Sequence, residues 1–147
     1  MTLANDQLRL LDALSRHGAK FVVVGGVAAQ LRGWSGTTAD LDIAVDASDE
    51  NATRINRALA DAGVMSSAVG GFGTTFETRY GRLEIVRRAD GIGKYEDWMR
   101  RASEIEFDHL TILVAASEDI VTSKEAAGRH KDLAALPTLR DDLGLGS

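Results

Sequence analysis

Asp40 and Asp42 are the residues in this chain whose type and spacing most directly suggest chemistry. They stand two apart in Asp40-Leu41-Asp42-Ile43-Ala44-Val45, where apolar residues alternate with others as on a strand. That spacing sends both carboxylates to one face and Leu41 and Ile43 to the core. Two carboxylates side by side repel, and are stable as a pair mainly when a cation lies between them. Hard oxygen donors suit Mg²⁺ or Mn²⁺, and Mg²⁺ commonly shares its coordination sphere with substrate phosphates. Upstream, Gly25-Gly26 separates a β-branched run from a short helix. Glycines let backbone approach a phosphate closely, and a helix start supplies unpaired N–H donors. Glu84, between Leu83 and Ile85 on another expected strand, offers a third carboxylate to bridge metal or accept a proton. Such parts can position a nucleoside triphosphate for in-line displacement.

Simpler readings stand beside these. Gly25-Gly26 also suits a tight strand-to-helix turn, and the chain has neither a Gly-x-Gly-x-x-Gly dinucleotide pattern nor a Gly-Lys-Ser/Thr phosphate loop. Glu84 could pair with Arg79 or Arg87 on the sheet surface. Lys124, Arg129 and Lys131 could be a solvated helix face, with Lys131-Asp132 a local ion pair of little worth. Trp34 suits either base stacking or the core. His17, His109 and His130 are scattered without metal-ligand spacing and read as surface residues.

The elements that must position these groups follow from periodicity. Residues 4–17 show helical spacing through Leu8, Leu11, Ala13 and Leu14, with Gly18 as the stop. Phe21-Val22-Val23-Val24 reads as a buried strand, 27–31 as a short helix, and 34–39 as a loop. A helix capped by Ser48 or Asp49 covers about 50–62, with Ile55, Ala58, Leu59 and Ala62 on one face. Gly70, Gly71 and Gly73 mark a turn. Residues 74–80 and 82–87 form an expected hairpin about Gly81. Gly91 and Gly93 open a loop before a helix at about 95–102. A second hairpin turns at Asp108-His109. Ser117 begins a helix to Ala127, Gly128 breaks it, and a last helix covers 130–143 with Pro137 as an interruption. Lys124, Lys131 and Asp132 would share a face only if Gly128 did not break the register.

The chain of 147 residues has the size of one domain, and its order of elements indicates one α/β (α+β) unit. Hydrophobic residues at 44% and charged residues at 27% are an ordinary globular balance. The apolar runs are too short to span a bilayer, and the first residues lack the pattern of a signal peptide, so a cytoplasmic location is expected. The absence of cysteine excludes disulfides, thiolate zinc sites and a cysteine nucleophile. A net charge of −5 argues against a dedicated DNA-binding module, though not against an enzyme touching an RNA end briefly.

Val24-Gly25-Gly26 followed by Thr38-Ala39-Asp40-Leu41-Asp42-Ile43 resembles the signature of the nucleotidyltransferase superfamily that includes DNA polymerase beta. The run from Ser117 to Leu133 is similar to the Lys-x-x-Ala-x-Arg-x-Lys-Asp-Leu segment of small bacterial nucleotidyltransferase-like proteins, some related to AbiEii and MenT toxins. The resemblance implies a small mixed sheet flanked by helices, with C-terminal helices completing the site. It implies metal-dependent transfer of a nucleoside monophosphate from a triphosphate to an RNA 3′ end (tRNA included), a protein or a small molecule, within a toxin–antitoxin system. The alternative is a catalytically weak or inactive member acting as a nucleotide-binding regulatory or antitoxin-like partner. By the resemblance, Asp40, Asp42 and Glu84 hold Mg²⁺ or Mn²⁺. Gly25, Gly26, Thr38, Arg129 and Lys131 bind the nucleotide, and Lys124 reaches the phosphates or leaving group. Relatives often carry Ser at the position of Gly26, Asp at that of Glu84 and Arg at that of Gly36. Arg32 is the nearest substitute for that Arg.

Overall fold

The computed structural model describes residues 4–64 and 74–146. The expected glycine turn at Gly70, Gly71 and Gly73 lies outside them. Two short buried strands form the centre. β1 (Phe21–Val24) is buried throughout, as its β-branched run predicts, and pairs antiparallel with β2 (Leu41–Val45). Leu41 and Ile43 reach the core, but so does Ala44, while Val45 is half-buried at the strand end. The alternation therefore holds only over the first half of β2.

Outside this pair, β3 (Thr75–Thr78) and β4 (Gly81–Ile85) form the hairpin expected about Gly81. β4 runs parallel to β2, with Asp42 beside Glu84. On the other flank, β5 (Ser103–Phe107) and β6 (Leu110–Val114) form the second hairpin, and β6 joins β1 in parallel. The six-stranded mixed sheet has the order β3-β4-β2-β1-β6-β5.

Helices cover the sheet. α1 (Asn5–Arg16) buries Leu10, Leu11, Ala13 and Leu14 and packs against α3 (Asp49–Asp61). The Ser48 hydroxyl caps α3 by accepting the Asn51 N–H. Asn51 is itself buried. Its amide donates to the Lys20 and Asp46 carbonyls and accepts the Lys20 N–H, which fastens the start of α3 to the ends of β1 and β2. α2 (Gly25–Leu31) starts at Gly25, two residues earlier than predicted, so both glycines belong to its first turn. α4 (Tyr95–Met99) ends before the expected residue 102 and buries Trp98. α5 (Ser117–Ala127) stops at Gly128, and α6 (His130–Asp142) runs through Pro137 without interruption. Among the described residues, no helix is long and apolar enough to cross a membrane.

Candidate active site

The register of the central strands builds one wall of the site. Val24 pairs with Asp42, so the chain leaving β1 passes directly beside that carboxylate. Gly25 takes φ +67° there, and a Cβ on it would overlap the Asp42 carboxylate. Glycine is therefore required twice, for backbone angle and for space. Parallel pairing places Glu84 next to Asp42 on the adjoining strand. Asp40, just before β2, lies at the rim with its Oδ2 3.9 Å from Arg82 Nη1. Burial and the neighbouring Glu84 and Asp40 charges push the Asp42 carboxyl up to about 7, with Lys124 and Arg129 pulling the other way.

The loop between α2 and β2 is held by two buried glutamines. Gln7 of α1 donates to the Thr38 carbonyl at 2.9 Å, and Gln30 of α2 donates to the Gly36 carbonyl at 3.0 Å. The Thr38 side chain then lies over Gly26, where an added Cβ would stand 2.7 Å from Thr38 Cβ. A serine at position 26 has no room. The Trp34 ring occupies the space a side chain at Gly36 would need, so an arginine does not fit there either. Arg32 is no substitute: its guanidinium donates to the Val114 and Ala115 carbonyls and to Ser103 Oγ, away from the carboxylates.

The facing wall comes from α5 and α6. Gly128 ends α5 in the left-handed conformation at φ +63°, which breaks the helical register across 124–132. The turn nevertheless brings the same residues together. Asp132, 1% exposed, accepts from Arg129 Nε at 2.6 Å and Nη2 at 3.2 Å. Its Oδ1 lies 3.5 Å from Lys124 Nζ. The Arg129 hydrogen bond holds the Asp132 carboxyl below its ordinary range, and Asp132 in turn raises Arg129. Lys124 also sits 6.0 Å above the Trp34 ring. Trp34 is half-buried beneath it and packs against the core.

These walls enclose a cavity of about 460 Å³. Gly25, Gly26, Thr38, Asp40, Asp42, Glu84, Lys124, Arg129 and Lys131 all line it. Sequence reasoning passed over the lining residues Ser123 and Trp98, and gave Asp132 a place beside Lys124 but no part in the site. Asp132 had a signal, since an acid spaced eight from Lys124 and three from Arg129 can pair with both. The histidines stay outside the cavity, with His17 paired to Asp61 and His109 to Asp12. Among the described residues, no three His, Asp or Glu side chains are gathered closely enough to hold a metal ion. The donor chemistry still suits a hard cation, because carboxylates share one anionic wall where burial and, after it, their mutual repulsion raise the Asp42 pKa.

A mixed sheet with a carboxylate pair at the start of one central strand, faced by basic C-terminal helices, has the character of a nucleotidyltransferase-like protein. The chain belongs to the family described as nucleotidyltransferase of unknown function (DUF6036), whose model matches residues 3–138. No curated protein matches the chain.

Proposed function

We propose that the cavity binds a nucleoside triphosphate with Mg²⁺ or Mn²⁺, and that the chain transfers the nucleoside monophosphate to a hydroxyl acceptor. The observation carrying this reading is the division of one cavity into a wall with Asp40, Asp42 and Glu84 and a wall with Lys124, Arg129 and Lys131. A polyphosphate is a polyanion, and it is held best between cationic side chains and a carboxylate-bound metal. Asp40, Asp42 and Glu84 would hold the cation, which supplies Lewis-acid polarisation of the phosphoryl oxygens. Lys124, Arg129 and Lys131 bind the phosphates. Gly25 and Gly26 let the backbone come close, and the Thr38 side chain over Gly26 offers a hydroxyl beside them. The acceptor oxygen forms a bond to the α-phosphorus as the bond to the bridging oxygen breaks. Pyrophosphate leaves with that electron pair towards Lys124, and the acceptor proton passes to Glu84.

One observation favours a second reading, a nucleotide-binding member without turnover that serves a regulatory or antitoxin-like role. Among the described residues, the three carboxylates do not form a group close enough to hold a metal ion together. A toxin–antitoxin role and a tRNA acceptor rest on the resemblance to AbiEii and MenT toxins alone. Incubation of the chain with α-labelled triphosphates, Mg²⁺ and total cellular RNA or protein tests both readings. Label transfer that Asp42→Asn abolishes supports the enzyme. Mg²⁺-dependent nucleotide binding without pyrophosphate release from any acceptor pool supports the second reading, and no nucleotide binding at all refutes both.

A further inference from the structure

The rim of the cavity continues into a second group of cations beyond Asp40. Because Leu41 lies beside Leu83, the residues one step earlier, Asp40 and Arg82, meet at the rim. Arg82 follows the β3–β4 turn, which carries Arg79 and Tyr80. The Tyr80 ring is half-buried against the core. Two guanidinium groups stand over it, Arg9 at 5.7 Å and Arg79 at 5.9 Å from the ring centroid. Arg9 comes from α1, two residues after Gln7, whose amide holds the Thr38 carbonyl of the cavity loop. The cluster is therefore built from the helix that holds the cavity loop and the hairpin that carries Glu84.

Its electrostatics are unusual for this chain. The protein carries a net charge of −5, and Arg16, Arg54, Arg101 and Arg129 each have a carboxylate partner, as does Arg82, which Glu77 holds at 2.8 Å. Arg9 and Arg79 are both exposed. Among the described residues, neither forms an ion pair, and the nearby Asp61 is engaged by His17 and Arg16. Asp61 acts on Arg79 only at longer range, and two like charges drawn to one ring with no carboxylate in salt-bridge contact among the described residues repel each other. An incoming anion relieves that repulsion.

We propose that Arg9, Arg79 and Tyr80, continued by Arg82, bind the acceptor of the transfer reaction, and that this acceptor is a single-stranded nucleic acid. The inference rests on the reading of the cavity as the nucleotide site and names the class of its second substrate. Successive phosphates of an unpaired strand match a row of arginines, and guanidinium and phenol faces accept unstacked bases. A strand running from Arg9 towards Arg82 brings its terminal hydroxyl to Asp40 at the cavity rim. A protein acceptor presenting one hydroxyl has no use for such a row.

The test uses the full chain and fluorescein-labelled 12-nucleotide RNA and DNA single strands, read by anisotropy over a salt series. The double variant Arg9→Ala/Arg79→Ala is compared with the charge-matched Arg57→Ala/Arg88→Ala, which removes two exposed arginines elsewhere. The first double variant should weaken binding about tenfold or more and lower the slope of log affinity against log salt by about 1.4, roughly 0.7 per lost phosphate contact. Tyr80→Leu should weaken binding while leaving the slope unchanged. The RNA and DNA arms decide which strand is preferred. No binding by the parent chain overturns the proposal, as does equal weakening in both double variants, or label transfer to protein only. A parallel titration with a non-hydrolysable triphosphate and Mg²⁺ keeps the two readings separable. Its affinity should stay within about twofold in all variants. Failure there sinks the nucleotide site, whereas anisotropy alone decides the acceptor surface.

Discussion

The two walls of the cavity are made in different ways. The acidic wall belongs to the middle of the sheet, where backbone pairing fixes Asp42 beside Glu84 and beside the turn at Gly25. The basic wall belongs to two peripheral helices, and α6 buries only Asp132 and Leu139. Its cations are gathered by one buried carboxylate, Asp132, and by the turn at Gly128. Changes in the acidic wall should therefore act on the chemistry and on pH-dependent stability. Changes in the basic wall should act mainly on nucleotide affinity.

Asp42→Asn should give the largest effect. It removes a proposed metal ligand while keeping the shape, so transfer should fall on the order of 10²–10³-fold, the usual cost of losing one preorganised electrostatic contact. Stability should move the other way. Folded Asp42 keeps its proton up to about pH 7, whereas the ordinary value for an aspartate is 3.8. Between those values the folded chain binds more protons than the unfolded chain, so this group makes stability fall as pH rises. The Asn variant should melt above the parent at about pH 8 and together with it at about pH 4, read by thermal unfolding. Mg²⁺ should raise the melting temperature of the parent at the higher pH and leave the variant unchanged. Equal melting of the two at high pH would remove the argument that burial and the neighbouring acids disfavour the Asp42 charge.

Gly25→Ala tests the same wall through the backbone. It combines a left-handed φ with a clash against Asp42, so it should cost more than the roughly 1 kcal/mol of a strained non-glycine residue alone. Transfer should be lost with it as Asp42 is displaced. In the basic wall, Asp132→Asn should have a smaller effect. It removes the charge that collects Lys124 and Arg129, but both cations retain access to solvent, so the stability cost should be about 1–2 kcal/mol. The KM for the triphosphate should rise more than kcat falls. The lowered Asp132 pKa gives the pair's stabilisation above the ordinary carboxylate range and withdraws it as pH falls through the folded value. The parent-to-variant gap in melting temperature should therefore close in acid.

The same contrast explains what the chain discloses before it folds. Leu41 and Ile43 around Asp42, and Leu83 and Ile85 around Glu84, announce strands and put each acid on a definite face. The meeting of Asp42 with Glu84 then follows from parallel pairing, which periodicity alone does not state. On the helical side, local reading fails where tertiary contacts decide. Gly128 breaks the register that would align Lys124 with Asp132, yet the turn restores the pair by another path. Pro137 marks an interruption in sequence but is carried inside α6, where Leu139 is buried and Asp142 accepts from Ser35 N and Oγ. The glutamines that hold the loop, Gln7 and Gln30, read as ordinary polar positions until their burial is known. Gly36 looks like a missing cation in sequence, but in three dimensions its place is filled by Trp34.

Gly128 offers the smallest and most discriminating change. A Cβ there meets only the Glu125 carbonyl at 3.6 Å and the Ala126 carbonyl at 3.9 Å, which is ordinary contact. The cost of Gly128→Ala is therefore the left-handed backbone itself, about 1 kcal/mol. Asn tolerates that conformation better, so Gly128→Asn should recover much of the loss. The turn aims Arg129 and carries Lys131 and Asp132 into the cavity. If it is what assembles the basic wall, the Ala variant should bind a non-hydrolysable triphosphate about fivefold more weakly, the equivalent of that 1 kcal/mol. The Asn variant should bind within about twofold of the parent. If the Ser35–Asp142 hydrogen bonds and buried Leu139 hold α6 in place by themselves, affinity stays unchanged while the melting temperature falls. That result would move control of the basic wall from the turn to the far end of α6.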